Sequence, residues 1–403
     1  MNTTGAAHRQ AALQDAANRN QAAMRAMATG DLAGAEAALL QAVAVAPGFL
    51  PAWLNIAAIR RQRSDIDGAF EAIRQALVID GRNFGALLMS ATMLEQEGRH
   101  VPAALAYGAA LANAPPDETL DAATKQAVLR ARAVSEGYKQ QLGEHIRGAI
   151  APAEGACTAA ERRRLDSFIN MTLRAQPRYQ QNPSDYYYPG LAPIQFYDRS
   201  EFPWLEEFEA QTDAMRVELY QALAGQSEQF KPYIHYGEHM PLDQWRELNN
   251  SPRWTSYEFY HQGKPVEERF RACPATVRAF QALPQANVPL RSPAALFSAL
   301  QPRTRIPPHT GVANFRLLVH LPLVLPPGCG FRVGSETRQW RLGEAWVFDD
   351  TIEHEAWNDS DEQRYIFICD IWNPRLSPDE RAAIAAVIAA TDAFNGTTPD
   401  GKV

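Results

Sequence analysis

Residues 364–372 read Arg-Tyr-Ile-Phe-Ile-Cys-Asp-Ile-Trp, a run that is apolar except for an arginine at its start and an aspartate near its end. Its β-branched and aromatic content predicts a buried β-strand over 363–371. Further strands are predicted at 294–300, 314–324, 330–333, 338–341 and 345–348. Short strands separated by Pro/Gly turns such as Pro326-Pro327-Gly328 are typical of a barrel or a double-sheet jelly roll. After them, Ser377-Pro378-Asp379-Glu380 forms a capping box that predicts a final helix.

The composition of the chain excludes several classes of protein. At 403 residues it has room for two or three domains, and its net charge of −7 argues against general nucleic-acid binding, which needs excess Lys and Arg. The apolar run 382–390 is too short to span a bilayer, and the first residues lack a secretory pattern. The four cysteines are widely spaced, so we expect reduced thiols in a cytoplasmic protein.

A repeat of 34 residues organises the first third of the chain. Four series of positions recur at this spacing: Gly30, Ser64 and Gly98; Ala35, Ala69 and Ala103; Ala42, Ala76 and Ala110; and Pro47, Gly81 and Pro115. Turn formers between paired helices, small residues where helices approach closely, and a breaker after the second helix resemble tetratricopeptide repeats. Such arrays have concave faces that bind peptides, although a scaffold without a ligand would have the same pattern.

Changes in composition divide the chain into four predicted segments. We expect a tetratricopeptide array over 1–120, a helical linker over 121–180, a catalytic domain over 181–392 and a flexible tail over 393–403. The linker contains a helix break around 151–155, and the catalytic domain begins where the sequence becomes rich in aromatic residues and proline. The predicted fold class is therefore α + β and multidomain: a tetratricopeptide α-solenoid followed by a double-stranded β-helix (jelly roll) with flanking helices.

Two histidines and an arginine are the candidate functional residues of the C-terminal part. His309 lies in His309-Thr310-Gly311, and His354 precedes Arg364 by ten residues. Distant imidazoles can hold Fe(II) in a non-haem oxygenase, and an arginine on a buried strand can bind the far carboxylate of an oxo-acid cosubstrate. The usual site of this kind has a carboxylate two residues after its first histidine, where this chain has Gly311.

Five motifs resemble the aspartyl/asparaginyl β-hydroxylase family, whose members are Fe(II)- and 2-oxoglutarate-dependent oxygenases on a double-stranded β-helix. The motifs are Ser298-x-Leu300-x-Pro302; His309-Thr310-Gly311-x-x-Asn314-x-Arg316-Leu317-x-x-His320-Leu321; Glu336-Thr337-Arg338-x-Trp340; Phe348-Asp349-Asp350-x-x-Glu353-His354-Glu355-x-Trp357; and Arg364-x-Ile366-Phe367-Ile368-x-Asp370-x-Trp372-x-Pro374. The resemblance spans roughly 254–374. Some members carry a tetratricopeptide region ahead of the catalytic domain, as this chain does.

The resemblance implies a role for each matching residue. It implies that His309 and His354 hold the iron and that Gly311, the family's residue at that position, leaves a ligand site for water. Further residues are implied in binding the cosubstrate or lining its site. These are Arg364 and Ser298 on the distal carboxylate of 2-oxoglutarate, His320 on its metal-proximal carboxylate, Arg316 near the cosubstrate or the substrate's carboxylate, and Trp254 against the site.

The chain departs from the family at two positions. Leu318 stands where members often have a second arginine, and Leu296 where the animal enzymes have a lysine. Both changes remove cations from the expected pocket, which puts the identity of the substrate in doubt. His320 has an alternative interpretation as a core histidine, and the acidic residues around His354 suit a turn and second-sphere hydrogen bonds better than metal ligation. His235 and His239 are spaced like helical zinc ligands, but nearby Pro and Gly make a helix improbable.

The resemblance predicts an Fe(II)/2-oxoglutarate dioxygenase that uses O₂ to hydroxylate an unactivated C–H bond. We expect the β-carbon of an Asp or Asn residue in a peptide, protein or carrier-bound amino acid as target, with the repeat array recruiting the peptide. Two alternatives stay open: a fatty-acyl hydroxylase of the same family, favoured by a pocket with few cations, and a non-catalytic tetratricopeptide interaction protein. Neither nucleic acid nor a membrane span is expected.

Overall fold

A computed structural model describes residues 3–225, 227–237 and 242–396, with backbone only for 3–7. The chain forms two compact units, Met1–Cys157 and Thr158–Val403. The helices of the first unit are α1 Thr3–Ala28, α2 Leu32–Val45, α3 Leu50–Gln62, α4 Ile66–Ile79, α5 Phe84–Gln96, α6 His100–Leu111 and α7 Ala122–Glu154. No helix within the described ranges is both long and apolar enough to cross a membrane.

The first six helices form three pairs that follow the 34-residue spacing, α1 with α2, α3 with α4 and α5 with α6. Gly30, Ser64 and Gly98, the turn positions of the three pairs, all have positive φ, at 84°, 62° and 69°. The alanine series at 35, 69, 103 and at 42, 76, 110 are fully buried, as expected where helices approach closely. The N-terminal region is thus helical as predicted, and its assignment to the tetratricopeptide class stays a prediction.

In its described residues, the second unit contains six further α-helices and a β-rich core. Its helices are α8 Ala159–Thr172, α9 Leu205–Glu209, α10 Thr212–Gly225, α11 Glu267–Ala272, α12 Pro274–Gln281 and α13 Pro378–Asn395. The helix break predicted at 151–155 is misplaced, because α7 continues through Pro152 to Glu154 and the chain leaves the helix only at 155–158. The predicted capping box of Ser377 and Glu380 opens α13. The proposed tail falls on the end of α13 and on residues 397–403, which lie outside the described part of the chain.

Over the ranges that the structure describes, the β-structure consists of two antiparallel sheets and one short hairpin. The strands are β1 Lys231–Pro232, β2 Trp254–Glu258, β3 Tyr260–His261, β4 Lys264–Pro265, β5 Ala295–Leu300, β6 Thr304–His309, β7 Arg316–Val324, β8 Cys329–Val333, β9 Glu336–Arg338, β10 Trp346–Phe348, β11 His354–Asn358 and β12 Arg364–Trp372. The six-stranded sheet has the order β1-β2-β5-β12-β7-β10, and the four-stranded sheet has the order β6-β11-β8-β9. The architecture is therefore α + β, as predicted.

The central strands of the six-stranded sheet separate two hydrophobic clusters. Alternate residues of a strand point to opposite faces. In β12, Phe367, Cys369 and Ile371 join a cluster that includes Phe259 and Phe280, whereas Ile366 and Ile368 join a second cluster with Trp254 and Phe331. The first cluster is the packed core between this sheet and the helices α9, α10 and α12. The second cluster surrounds the candidate site.

The sequence did not predict three strands that build the site. The strands β2, β6 and β11 lie at 254–258, 304–309 and 354–358, outside all predicted ranges. Strand β6 contains Pro307 and Pro308. Proline has no amide hydrogen to donate within a sheet, so these residues argued against a strand at this place in the sequence. The structure accommodates them because β6 lies at the edge of its sheet, where it pairs with β11.

Candidate active site

His309 and His354 meet on two neighbouring strands. His309 ends β6, His354 begins β11, and the antiparallel register places them directly opposite each other. Their ring centroids are 4.0 Å apart. The fold therefore brings together two rings that are 45 positions apart in the chain.

Hydrogen bonds fix the same tautomer on both rings. His309 Nδ1 donates to the Pro307 carbonyl oxygen at 2.7 Å, and His354 Nδ1 donates to that of Ile352 at 3.1 Å. A carbonyl oxygen only accepts, so each Nδ1 carries the hydrogen and each Nε2 keeps its lone pair for a ligand. Burial lowers the pKa of His309 to about 3 and that of His354 to about 4, which keeps both imidazoles neutral at pH 7.

A cavity of about 400 Å³, including its open mouth, joins the histidine pair to Arg364. Arg364 is 1% exposed, and its Nε and Nη1 have no hydrogen-bond partner among the described residues. Its guanidinium carbon lies 5.0 Å from the centroid of the Trp340 ring. Burial lowers the pKa of Arg364 to about 10, which leaves a cation at neutral pH. Because an unpaired buried cation is costly, the arrangement calls for an anionic ligand.

Ser298 and His320 add two polar groups to the same cavity. Ser298 lies opposite Ile366, two residues from Arg364 on the same face of the sheet. Its Oγ accepts a hydrogen bond of 3.1 Å from Trp254 Nε1, so the hydroxyl hydrogen is available to another acceptor. His320 lies opposite Ile368, and its buried Nδ1 has no partner in the part of the chain that the structure describes. Burial and the charge of Arg364 lower its pKa.

Gly311 has no room for a side chain, because an added Cβ would collide with the carboxylate of Asp350. The backbone N–H of Gly311 also donates to the Asp350 carbonyl oxygen at 2.7 Å, which holds the two segments together. The Asp350 carboxylate accepts from Arg316 Nη2 at 3.1 Å, and both side chains are buried. Burial raises the pKa of Asp350, and the charge of Arg316 opposes that shift. Asp350 thus fills the space where a ligand at position 311 would begin.

The other acidic residues near His354 have partners of their own. Asp349 Oδ1 accepts from the backbone N–H and the hydroxyl of Thr351, which closes the predicted turn. Glu353 and Glu355 both accept hydrogen bonds from Arg332. In residues 3–225, 227–237 and 242–396, no group of three or more His, Cys, Asp or Glu side chains is placed to hold a metal ion. The sequence predicted two of these side chains, His309 and His354, as metal ligands, and that assignment stays a prediction.

Sequence reasoning missed two aromatic residues at the site, Tyr233, which lines the cavity, and Trp245, which contacts His309. Tyr233 stacks on Trp254 with centroids 4.0 Å apart, and the Trp245 ring meets His309 edge-on at 4.9 Å. Trp245 ends a 3₁₀ turn, Asp243–Trp245, in a segment without strand or helix periodicity. Only the fold brings it to β6, so no pattern in the sequence identifies it.

The second histidine pair considered from the sequence is not assembled in the described residues. His235 is exposed and its Nδ1 contacts Asn250 Oδ1. His239 lies outside the described residues.

Comparison with known proteins identifies relatives of the second unit. Residues 209–374 match the family model described as aspartyl/asparaginyl beta-hydroxylase. The chain is 36% identical over 141 residues to the human aspartyl/asparaginyl beta-hydroxylase, covering 35% of this chain and 18% of that protein. It is 32% identical over 185 residues to the ornithine lipid ester-linked acyl 2-hydroxylase of Rhizobium tropici, covering 45% of this chain and 62% of that protein.

A third relative extends the match. The mouse aspartate beta-hydroxylase domain-containing protein 2 is 29% identical over 236 residues, which covers 55% of this chain and 65% of that protein. The chain thus spans less than one fifth of the human relative's length and less than two thirds of the other two.

Proposed function

Because this chain belongs to the aspartyl/asparaginyl β-hydroxylase family, whose model matches residues 209–374, we propose that it is an Fe(II)- and 2-oxoglutarate-dependent hydroxylase. One observation carries the proposal: a cavity lined by two neutral, opposed imidazoles also contains a buried guanidinium with unpaired donors. A metal and a dianion satisfy these two features together. The relatives described above are hydroxylases, which supports hydroxylation as the reaction type.

His309 and His354 are the residues that would hold the iron. Neutral imidazoles whose Nε2 atoms carry a lone pair suit a divalent first-row metal, and their Nδ1 hydrogen bonds to backbone carbonyls orient the rings. Asp350 excludes a carboxylate ligand at position 311 and presents its own Oδ1, which has no hydrogen-bond partner among the described residues. That oxygen is suited to accept a hydrogen bond from water at the metal.

Arg364, Ser298 and His320 are the residues that would hold 2-oxoglutarate. Arg364 offers two unpaired donors to the distal carboxylate, and the Ser298 hydroxyl offers a third. His320 lies further along the same face, opposite Ile368, and is suited to contact the carboxylate nearer the metal. When bound, Fe(II) supplies the redox chemistry that couples O₂ to C–H hydroxylation. One oxygen atom enters the substrate as hydroxyl, and the other is used in converting 2-oxoglutarate to succinate and CO₂.

We also propose a fold class for the N-terminal helices and for the β-rich core. Three helix pairs with a 34-residue spacing and left-handed turns support a tetratricopeptide array, and two antiparallel sheets around the site support a double-stranded β-helix. Recruitment of a peptide by the array and a cytoplasmic location stay proposals. The relatives' names include both Asp/Asn β-hydroxylases and an acyl 2-hydroxylase, so membership of the family leaves the substrate open.

Anaerobic titration with Fe(II) and 2-oxoglutarate tests the proposal, with the visible charge-transfer absorption as readout. We expect the band in the intact protein, its loss in His309→Ala and its weakening in Arg364→Ala. The matched control is His235→Ala, which removes an exposed histidine and should leave the band unchanged. If the intact protein shows no band, the dioxygenase assignment is wrong, and the interaction-protein alternative gains support.

A further inference from the structure

An extended segment, residues 181–188, is bound to the turn that precedes His354. We call this segment the strap, and it lies ahead of the family match, which begins at residue 209. Gln181 of the strap forms an antiparallel β-bridge with Ile352. The carbonyl oxygen of Ile352 accepts the hydrogen bond that orients the His354 ring. The strap therefore holds the backbone on which the orientation of one site histidine depends.

The same strap is bound to the loop that follows His309. The N–H of Ser184 donates to the Gly311 carbonyl oxygen at 3.0 Å. The N–H of Tyr186 donates to that of Val312 at 2.9 Å. One continuous segment thus contacts the chain beside both histidines, although the two loops are far apart in the sequence.

The pairing of β6 with β11 holds the two histidines from one side only. His309 is the last residue of β6 and His354 is the first of β11, so the regular pairing of these strands stops at the pair itself. The register is also irregular between His354 and Ala356. The end of a strand opens more readily than its centre, because fewer neighbouring contacts hold it. Contacts from the loop side therefore matter for the position of both rings.

The side chain of Gln181 joins the two loops directly. Its Nε2 donates to Asp349 Oδ2 at 2.5 Å, and its Oε1 accepts from Asn314 Nδ2 at 3.1 Å. Asp349 lies in the turn before His354, and Asn314 lies in the loop after His309. Both partners are fully buried. A single amide therefore connects the segments that carry the two imidazoles.

Neighbouring hydrogen bonds determine which way this amide points. Asn314 Oδ1 accepts from the Tyr188 N–H at 2.7 Å, and Asn314 Nδ2 donates to the Tyr188 carbonyl oxygen at 2.9 Å. The Nδ2 group also faces Gln181, which must offer its oxygen there and its NH₂ group to Asp349. Burial raises the pKa of Asp349 to about 6, so its acceptor is a carboxylate at pH 7. A hydrogen bond to a buried charge is stronger than one between neutral groups.

We propose that Gln181 is a positioning residue of the candidate active site, which fixes the spacing of His309 and His354 by joining Asn314 to Asp349. The inference rests on the proposed function for the role of the metal. Its effect on the two loops exists in the metal-free chain and can be measured there. The site accordingly depends on a residue outside the region that matches the family model.

Hydrogen exchange followed by mass spectrometry tests the connection in the metal-free full chain. Gln181→Met keeps the length of the side chain and removes both hydrogen bonds, so exchange in residues 310–314 and 349–353 should become about tenfold faster. The matched control is Tyr188→Phe, which removes the hydrogen bond from the same strap to Glu380 and should leave both rates unchanged. Unchanged exchange in Gln181→Met, or equal acceleration in the control, would overturn the proposal.

A pair of substitutions that reverses one hydrogen bond separates positioning from a general loss of packing. Gln181→Glu places a second carboxylate against Asp349, and Asp349→Asn places a second NH₂ group against Gln181, so each change alone should accelerate exchange. Together they restore a donor and an acceptor in the opposite direction, and the oxygen of the new amide still accepts from Thr351. The double variant should therefore recover slow exchange. A double variant as fast as the single ones would contradict the role of this hydrogen bond.

Metal binding distinguishes the inference from the proposed function. Mn(II) alone is titrated into each protein, with the electron paramagnetic resonance signal of the free ion as readout. Gln181→Met should raise the dissociation constant about tenfold, Tyr188→Phe should not change it, and the double variant should restore it. If the unchanged chain binds no Mn(II), the proposed function fails, and the exchange rates still decide whether Gln181 positions the loops. If Gln181→Met binds Mn(II) as tightly as the unchanged chain, the function stands and the positioning role is wrong.

Discussion

At the scale of single residues, packing explains why position 311 has a glycine. The Asp350 carboxylate occupies the volume next to Gly311, and Arg316 holds that carboxylate in place through a buried ion pair. The motif revealed the glycine, but only the structure shows what excludes a larger residue there.

The first prediction concerns Gly311→Ala. The added methyl group must displace Asp350, so we expect a loss of about 1–3 kcal/mol in the free energy of unfolding, together with weaker metal binding. Urea denaturation and metal titration measure the two effects. The control is Gly225→Ala, whose Cβ would meet nothing within 4 Å. Equal stability of both variants would show that Asp350 moves freely.

The second prediction concerns the pH dependence of stability in the metal-free protein. His309 and His354 have folded-state pKa values of about 3 and about 4. In the unfolded chain both take up protons near pH 6.5, while the folded chain does not until much lower pH. Stability should therefore fall as pH decreases from 7 to 5, by about 1–2 kcal/mol per histidine.

Variants isolate the contribution of each histidine to this slope. Urea midpoints of His309→Gln and His354→Gln at several pH values should each show a shallower fall than those of the unchanged chain. His235→Gln alters an exposed histidine and should retain the full slope. Parallel profiles for all four proteins would mean that the two site histidines are protonated in the folded state as readily as in the unfolded one.

At the scale of elements, the 34-residue spacing places a left-handed residue between the helices of each pair. Gly98 has a φ of 69°, which a residue with a side chain adopts only at some cost. We expect Gly98→Ala to lower the stability of the first unit by about 1 kcal/mol, measured as a lower thermal midpoint by circular dichroism. Gly137→Ala, within α7 and free of close neighbours, should instead stabilise the helix by about 0.5–1 kcal/mol. Effects of the same sign would contradict this account of the turn.

The strands around the candidate site were predicted only in part. Motif spacing singled out His309, His354 and Arg364, and apolar runs predicted β5, β7 and β12. The strands β6 and β11 were missed, because one contains two prolines and the other is short with mixed polarity. Trp245 was missed for a different reason: its contact with His309 depends on tertiary pairing, which local periodicity does not encode.

At the scale of the whole molecule, each unit has hydrophobic clusters of its own. The clusters around Leu39 and around Tyr107 lie in the first unit, and those around Phe367, Phe348 and Trp372 lie in the second. A separate core gives each unit its own source of stability.

The last prediction follows from these separate cores. Scanning calorimetry of the full chain should show two transitions. Mn(II) with 2-oxoglutarate should raise the midpoint temperature of only one transition. At ligand concentrations 100 times the dissociation constant, binding adds about 2.7 kcal/mol to the free energy of unfolding of that unit. Gly98→Ala should lower the midpoint temperature of the other transition only, because Gly98 lies in the first unit. A single transition that responds to both changes would show that the units unfold together.

The packing of Gly311 against Asp350 also constrains how the site can change during evolution. A carboxylate cannot enter at position 311 by one substitution, because it would collide with Asp350. Removing Asp350 first leaves Arg316 buried without its partner. Each single substitution therefore damages the protein. A carboxylate at position 311 would have to arise together with a second change that removes Asp350 and compensates Arg316.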